Sequence, residues 1–193
     1  MSTTVDEQAP AVVRCFGDGD PLYETYHDTE WGWRVRGDSA LFERIALEGF
    51  QSGLSWITVL KKREAFREVF HGFDPATVAR MGPDDVDRLL TDARIIRHRG
   101  KIEATINNAR VIVNMQAQGD SLDELVWSFA PTQESQPQTW EEVPTTTVQS
   151  QELAKTLKKL GFRFFGPTTA YAAMQAIGMV NNHLASCTRQ PGN

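Results

Sequence analysis

Apolar residues in this chain recur three and four positions apart, and no window sustains an alternation of apolar and polar. Leu41, Phe42, Ile45 and Ala46 form one such stripe, Leu153, Leu157 and Leu160 another, and Tyr171, Met174 and Ile177 a third. No Asn-Gly or Asp-Gly pair joins two alternating runs, so the signature of a β-hairpin is missing. Such a chain buries its stripes by packing helix on helix. Its 193 residues suffice for one domain with a substantial core, and no repeat of fixed period is evident. The sequence predicts an all-α fold, a single compact bundle.

Punctuation places the helices. A loop with Gly17, Gly19, Asp20 and Pro21 leads into a helical patch in which Tyr23 and Tyr26 share a face, and Trp31-Gly32-Trp33 closes it. Asp38 or Ser39 is expected to cap the next helix. A helix over 55–70 follows, with Trp56, Val59, Leu60, Phe66 and Phe70 inward and Lys61, Lys62 and Arg63 on its outer face. Asp74-Pro75 and Gly82-Pro83 each open a short helix, since proline suits the first helical position. A longer helix carries Ile102, Ile106, Ala109 and Val113 on one face and ends by Gly119. Ser121 and Glu124 match a capping box, opening a helix with Leu122, Leu125, Val126 and Phe129 inward. The polar, proline-containing stretch 130–148 reads as a long loop. A helix over 150–160 then stops at Gly161, and Gly166-Pro167 opens the last helix.

The first ten residues are polar and acidic and lack the basic-then-apolar order of a signal peptide. No apolar run approaches the length of a membrane span. These features lead us to expect a flexible tail over 1–13, one domain over 14–193 and a cytoplasmic location. The net charge of −5 excludes a globally basic nucleic-acid binder, although local patches can still grip a phosphate backbone. The two cysteines, Cys15 and Cys187, lie near opposite ends. A disulfide is not expected in a cytoplasmic chain, which leaves free thiols or metal ligands.

Several constellations could carry chemistry. Glu48 follows Leu41 by seven and Ile45 by three, so it falls on the inward stripe; Gly49, Gly53 and two serines then break the helix before Trp56. A buried acid beside a large ring suits a pocket for a planar, cationic ligand. A plain helix corner with a core tryptophan fits the same residues. The corner from Gly161 to Thr168, among Lys155, Lys158, Lys159 and Arg163, could bind one phosphate at a helix N-terminus, or could be an ordinary helix pair with solvated lysines. Arg94, Arg97, His98, Arg99 and Lys101 cannot all be buried; with Lys61-Lys62-Arg63 they make further local basic sites. His183 and Cys187, four apart, share a helical face, and Cys15 and His27 complete a tetrahedral composition. The close cysteine pairs usual in zinc sites are absent, so spacing leaves the metal question open. No Ser-His-Asp or Cys-His order and no phosphate-binding loop of the nucleotide-hydrolase kind is present.

Taken together, these stretches resemble the 3-methyladenine DNA glycosylase I family of bacterial repair enzymes. The resemblance lies in Asp20-Pro21-Leu22-Tyr23, Tyr26-His27-Asp28, Glu30-Trp31-Gly32, Leu47-Glu48-Gly49, the run 53–63, the run 95–102, Val126-Trp127-Ser128-Phe129 and Val180-Asn181. It extends over about 14–193, and chance agreement across 53–63 is negligible. It implies a helix–hairpin–helix glycosylase that acts as a monomer on double-stranded DNA. Such an enzyme flips out the alkylated adenine, cleaves its N-glycosidic bond with water, releases free 3-methyladenine and leaves an abasic site. It also implies a structural zinc on Cys15, His27, His183 and Cys187, clipping the two chain ends together. Glu48 becomes the acid of the site, recognising the base first and aiding catalysis only indirectly. Trp56 stacks on the base, with Tyr26 on the other side of the pocket and Tyr23 and Phe16 in its wall. Gly53 and Leu54 fill the gap left by the flipped base, and Gly161, Arg163, Gly166 and Thr168 belong to the hairpin.

Two positions depart from the family pattern. Phe16 stands where the family has a tryptophan, and is expected to do the same stacking. Arg94 replaces a frequent glycine, where it could add a phosphate contact. Asn181-Asn182-His183 occupies the region where related folds place an aspartate, so no dedicated strong base is expected, and no pocket lysine suggests lyase chemistry. Two rival functions are a non-catalytic helical DNA-binding module and a zinc-dependent hydrolase of a small molecule.

Overall fold

Capping side chains and prolines start most of the helices where the sequence puts them. The structure, a computed structural model, describes residues 12–17, 19–132, 136–188 and 190–191; most of the tail expected over 1–13 lies outside the described residues. Among the described residues ten α-helices run in order: α1 (Pro21–Thr29), α2 (Asp38–Gln51), α3 (Trp56–Leu60), α4 (Arg63–Val69), α5 (Pro75–Val78), α6 (Pro83–Thr91), α7 (Arg99–Ala117), α8 (Leu122–Trp127), α9 (Val148–Leu160) and α10 (Pro167–Ala176). Short 3₁₀ turns lie at His71–Phe73 and Trp140–Glu142. No strand occurs among the described residues, and the all-α expectation holds. No helix is long and apolar enough to cross a membrane among them.

α2 is the axis, packing on α3, α7, α8 and α10. Its stripe is fully buried at Leu41, Phe42, Leu47 and Phe50. Phe42 meets Phe73 at 5.7 Å and Phe50 meets Phe66 at 4.4 Å between ring centroids. Truncating such a ring, as in Phe42→Ala, costs about 3–5 kcal/mol. Asp20 accepts from the amides of Leu22 and Tyr23 to start α1, and Asp74 accepts from Thr77 N to start α5. Gly161 ends α9 with a left-handed φ of 105°.

Three expectations change. Neither Asp38 nor Ser39 caps α2. Gly37 holds that place, and Asp38 turns across to accept from Ser121 Oγ and Asp123 N at the start of α8. Asp123 in return accepts from Gly37 N, so the two helix N-termini cap each other. The helix expected over 55–70 is two helices, broken at Lys61 and Lys62; the Lys62 ammonium donates to the carbonyls of Ala93 and Arg94. Two inward positions also differ: Val113 is half-buried, with Ile112 and Met115 of α7 inward instead, and Leu160 is exposed at the end of α9.

Candidate active site and metal cluster

α1, α2 and α3 converge on Glu48. Its inward position on the α2 stripe leaves it 5 % exposed, one residue from the fully buried Leu47. Among the described residues no hydrogen bond or ion pair reaches its carboxylate. Burial therefore pushes the carboxyl up to about 8, opposed only by the charge of Arg44 one turn earlier. Arg44 cannot pair with it fully, being committed elsewhere: its Nη2 donates to Glu30 at 3.0 Å, while its buried Nη1 has no partner. Arg63 donates twice to the same Glu30, at 2.6 and 2.8 Å. Burial alone would raise Glu30, but the two arginines hold it below its ordinary value. Arg63 thus does not lie on an outer face, as expected. It follows Trp56 by seven and points inward with it.

Above Glu48 opens a cavity of about 240 Å³, below the ~300–1,000 Å³ of drug-sized sites. Phe16, Tyr23, Tyr26 and Trp56 line it, so the structure gathers every expected pocket residue around Glu48. Tyr26 and Trp56 are buried and touch, with ring centroids 5.3 Å apart, too close for a flat ring to enter between them. The indole Nε1 of Trp56 is buried without a partner. The cavity also has walls that were not anticipated: Trp31, Gln51, Trp140, Ala172 and Gln175. Gln51 lies one turn after Glu48 and was legible from that spacing. Ala172 and Gln175 share a face of α10 by the same rule. Trp140 comes from the aperiodic stretch and carries no such signal.

The turn joining α2 to α3 projects outward. Gly53 takes a φ of 82° and Leu54 is 42 % exposed. Beneath it lies Lys101, expected in a solvated basic patch but buried, its ammonium donating to Phe50 O at 2.9 Å and Ser52 O at 2.7 Å. It satisfies carbonyls left open at the end of α2. The other basic residues are also largely engaged. Lys61 pairs with Asp20, Arg94 with Asp92 and Glu68, and Arg99 with Asp87 and Glu103. At the corner from Gly161 to Thr168, Phe162 and Phe165 are buried, and Gly166, with no side-chain cap, starts α10. Asn108 holds the corner by accepting from Arg163 N at 2.8 Å and donating to Arg163 O at 3.1 Å; Asn107 donates to Gly161 O.

A second cluster abuts the pocket. Cys15 Sγ, His27 Nε2, His183 Nδ1 and Cys187 Sγ, from opposite ends of the chain, all lie within 4.8 Å of one another. Cys187 Sγ is 3.5 Å from both histidine nitrogens, and Cys15 Sγ is 3.7 Å from His183 Nδ1. A tetrahedral ion with bonds of ~2.0–2.3 Å sets its ligand atoms roughly 3.3–3.8 Å apart, so these separations fit a metal. The outer nitrogens are engaged as ligating histidines require: His27 Nδ1 lies 2.8 Å from Asp28 and His183 Nε2 lies 3.0 Å from Trp31 O. Burial pushes His183 down to about 4, keeping the neutral imidazole that ligates. Gly32 permits the approach: a Cβ there would sit 2.8 Å from His183 Nε2. The four side chains can hold a metal ion.

Residues 16–190 match the methyladenine glycosylase family model. The chain belongs to this family. It is 53 % identical over 176 residues to DNA-3-methyladenine glycosylase 1 of Escherichia coli K12, covering 90 % of this chain and 94 % of that one. It is 47 % identical over 179 residues to DNA-3-methyladenine glycosylase of Haemophilus influenzae, covering 91 % and 96 %. A crystal structure of a 3-methyladenine DNA glycosylase I superimposes with a TM-score of 0.89 at 50 % identity, over 93 % of this chain and all of that one. The Staphylococcus aureus 3-methyladenine DNA glycosylase I, solved to explain its recognition of 3-methyladenine, superimposes with a TM-score of 0.85 at 38 % identity, over 91 % and 94 %. Within the methyladenine glycosylase family, then, the all-helical scaffold of this chain surrounds an unpaired buried carboxylate with aromatic rings.

Proposed function

We propose that this chain is a DNA-3-methyladenine glycosylase that releases the alkylated base from DNA and leaves an abasic site. The observation that carries the reading is Glu48: a buried carboxylate with no partner among the described residues, under an aromatic cavity, in a methyladenine glycosylase. A buried charge needs compensation. An adenine methylated at N3 is cationic while attached to its sugar, and it offers the Glu48 carboxylate both a positive charge and hydrogen-bond donors. Trp56 and Tyr26 offer ring faces to that cation, with Phe16 and Tyr23 completing the wall.

The reaction asks little acid–base chemistry of the protein. Cleavage of the N-glycosidic bond returns its electron pair to the cationic base, which leaves neutral, while water adds to the sugar carbon and gives its proton to solvent. Glu48, ionised beside the cation, binds the base by its charge and by accepting hydrogen bonds from the adenine edge. His183 is engaged in the metal cluster and Asn182 donates to Tyr171, so neither is placed to act as a strong base. Gly53 and Leu54 fill the duplex where the base leaves. Gly161, Arg163, Gly166 and Thr168 hold a phosphate through the start of α10, as a helix–hairpin–helix does. The Cys15, His27, His183 and Cys187 cluster holds a structural zinc, which fixes the chain ends. The enzyme acts as a cytoplasmic monomer on double-stranded DNA.

Incubation with methylated duplex DNA tests the reading. Free 3-methyladenine should appear in solution and alkali-labile abasic sites in the strand, and Glu48→Gln should slow both by ~10²-fold or more. Duplex binding without base release, by the intact chain, would remove the assignment.

A further inference from the structure

The cavity over Glu48 is a wall of rings, and the rings differ in how much of themselves is already used. Tyr26 and Trp56 are buried at 2 % and 9 % exposure and lean on each other. Phe16 is packed against Tyr23, Tyr26, His27 and Trp31, with centroids between 4.7 and 6.4 Å. Trp31 is buried against His183. Trp140 stands apart: it lines the same cavity and is 41 % exposed, so its ring lies at the mouth and keeps a broad free face.

That face is held in place. The Trp140 indole Nε1 donates to Cys15 O at 3.3 Å, and its ring rests on Trp31 at 6.2 Å. The segment around it is tied down as well, since Ala185 N donates to Pro137 O at 2.9 Å and Gln138 N to the Glu142 carboxylate at 2.7 Å. A tryptophan anchored by its nitrogen, with one face open over a ligand cavity, differs from a core residue and from a loose surface ring. It has little conformational freedom left to lose when a planar ligand lies against it.

Because Tyr26 and Trp56 touch, a base entering the cavity rests across them and leaves its outer face uncovered. We propose that Trp140 covers that outer face, stacking on the alkylated base from the mouth of the pocket and setting which planar bases are retained. The proposal rests on the pocket assignment made above. It gives the outer stacking role to a residue of the 136–142 segment rather than to Phe16, whose half-buried ring is packed among four others.

Calorimetric titration of the full-length, metal-loaded protein with free 3-methyladenine tests this. Trp140→Ala should weaken binding at least ~5-fold, the low end expected for losing one base–aromatic stack. Trp140→Phe, which keeps a ring but not the nitrogen, should lose less than Trp140→Ala. Trp140→Leu, which keeps apolar bulk over Trp31, should lose as much as Trp140→Ala, and it carries the test if the alanine variant does not stay folded. Glu48→Gln serves as the control. If Glu48→Gln weakens binding while Trp140→Leu binds as wild type, the Trp140 proposal is overturned and the pocket stands. If neither weakens binding, the pocket assignment itself fails, and this proposal with it.

Discussion

The metal cluster and the pocket are neighbours built from adjoining residues, and they treat polar groups in opposite ways. Cys15 and Phe16 are consecutive, as are Tyr26 and His27; one of each pair faces the cluster and the other the pocket. In the cluster both outer histidine nitrogens have a partner, and the four inner donors converge on one point. The Glu30 carboxylate is likewise held, by Arg44 and Arg63, although Arg44 Nη1 stays buried without a partner among the described residues. In the pocket, Glu48 and Trp56 Nε1 are buried with no partner among the described residues. Closed polar centres hold a fold together, whereas an open one is unfavourable until something arrives. The contrast separates residues that maintain the structure from residues kept for a ligand.

The largest expected effect lies on the closed side. Removing the proposed metal with a chelator would leave two thiols and two imidazoles facing one another and untie the chain ends. The expected loss of stability is on the order of 5 kcal/mol, below the ~10–16 kcal/mol of isolated zinc-finger peptides because this chain has its own apolar core. Denaturant melts with and without chelator measure it. An unchanged midpoint on metal-loaded protein would mean that the cluster is not structural.

Next comes the Glu30 cage. Glu30→Gln leaves two arginines, each about nine-tenths buried, without a counter-charge. Breaking a buried pair by removing one partner typically costs ~3–5 kcal/mol; partial exposure of Glu30 puts the expectation near ~3 kcal/mol. A loss within ~0.5 kcal/mol would show that the cage is not closed in the sense claimed.

How legible these centres were follows from where their residues lie. The α2 stripe, at helical spacing through Leu41 and Ile45, puts Glu48 inside. Proline and capping signals found most helix starts. Arg63 was legible by its spacing from Trp56, but its place in a Lys-Lys-Arg run masked it, because composition suggests solvent where periodicity suggests the core. Lys101 was hidden for the same reason, and only the end of α2 beneath it explains a buried ammonium. The cluster draws on both chain ends, and a four-residue spacing at one end cannot report on the other. Trp140 lies in a stretch with no period at all, so its place at the pocket mouth is a product of tertiary structure.

Glu48→Gln should move stability in the direction opposite to Glu30→Gln. The Glu48 carboxyl is raised to about 8 in the fold from an ordinary 4.5. A raised carboxyl gives its full contribution below the unfolded value, and loses it as pH climbs toward the folded one. Wild type therefore weakens between about 4.5 and 8, and the glutamine variant does not. The variant's advantage should be near zero at pH 4, grow across that window and level off above it, reaching a few kcal/mol. Denaturant midpoints of both proteins from pH 4 to 9 give this curve. A flat difference would mean that Glu48 already has a partner, and the open side of the comparison would close.

The smallest effect on stability falls on Leu54, which is unpartnered because it faces water. Its side chain is 42 % exposed on the turn after Gly53, so Leu54→Ala should change folding stability by no more than ~0.5 kcal/mol. Its effect should be confined to the duplex. Opening a base pair costs a few kcal/mol, and a side chain that fills the vacated space offsets part of that cost. Excision from methylated double-stranded DNA should slow roughly 10-fold, while affinity for free 3-methyladenine, which needs no flip, stays at the wild-type value. Glu48→Gln and Trp140→Ala, both at the pocket, should lower both quantities. If Leu54→Ala weakens the free base as much as it slows excision, the turn belongs to the pocket wall and not to the DNA-facing surface.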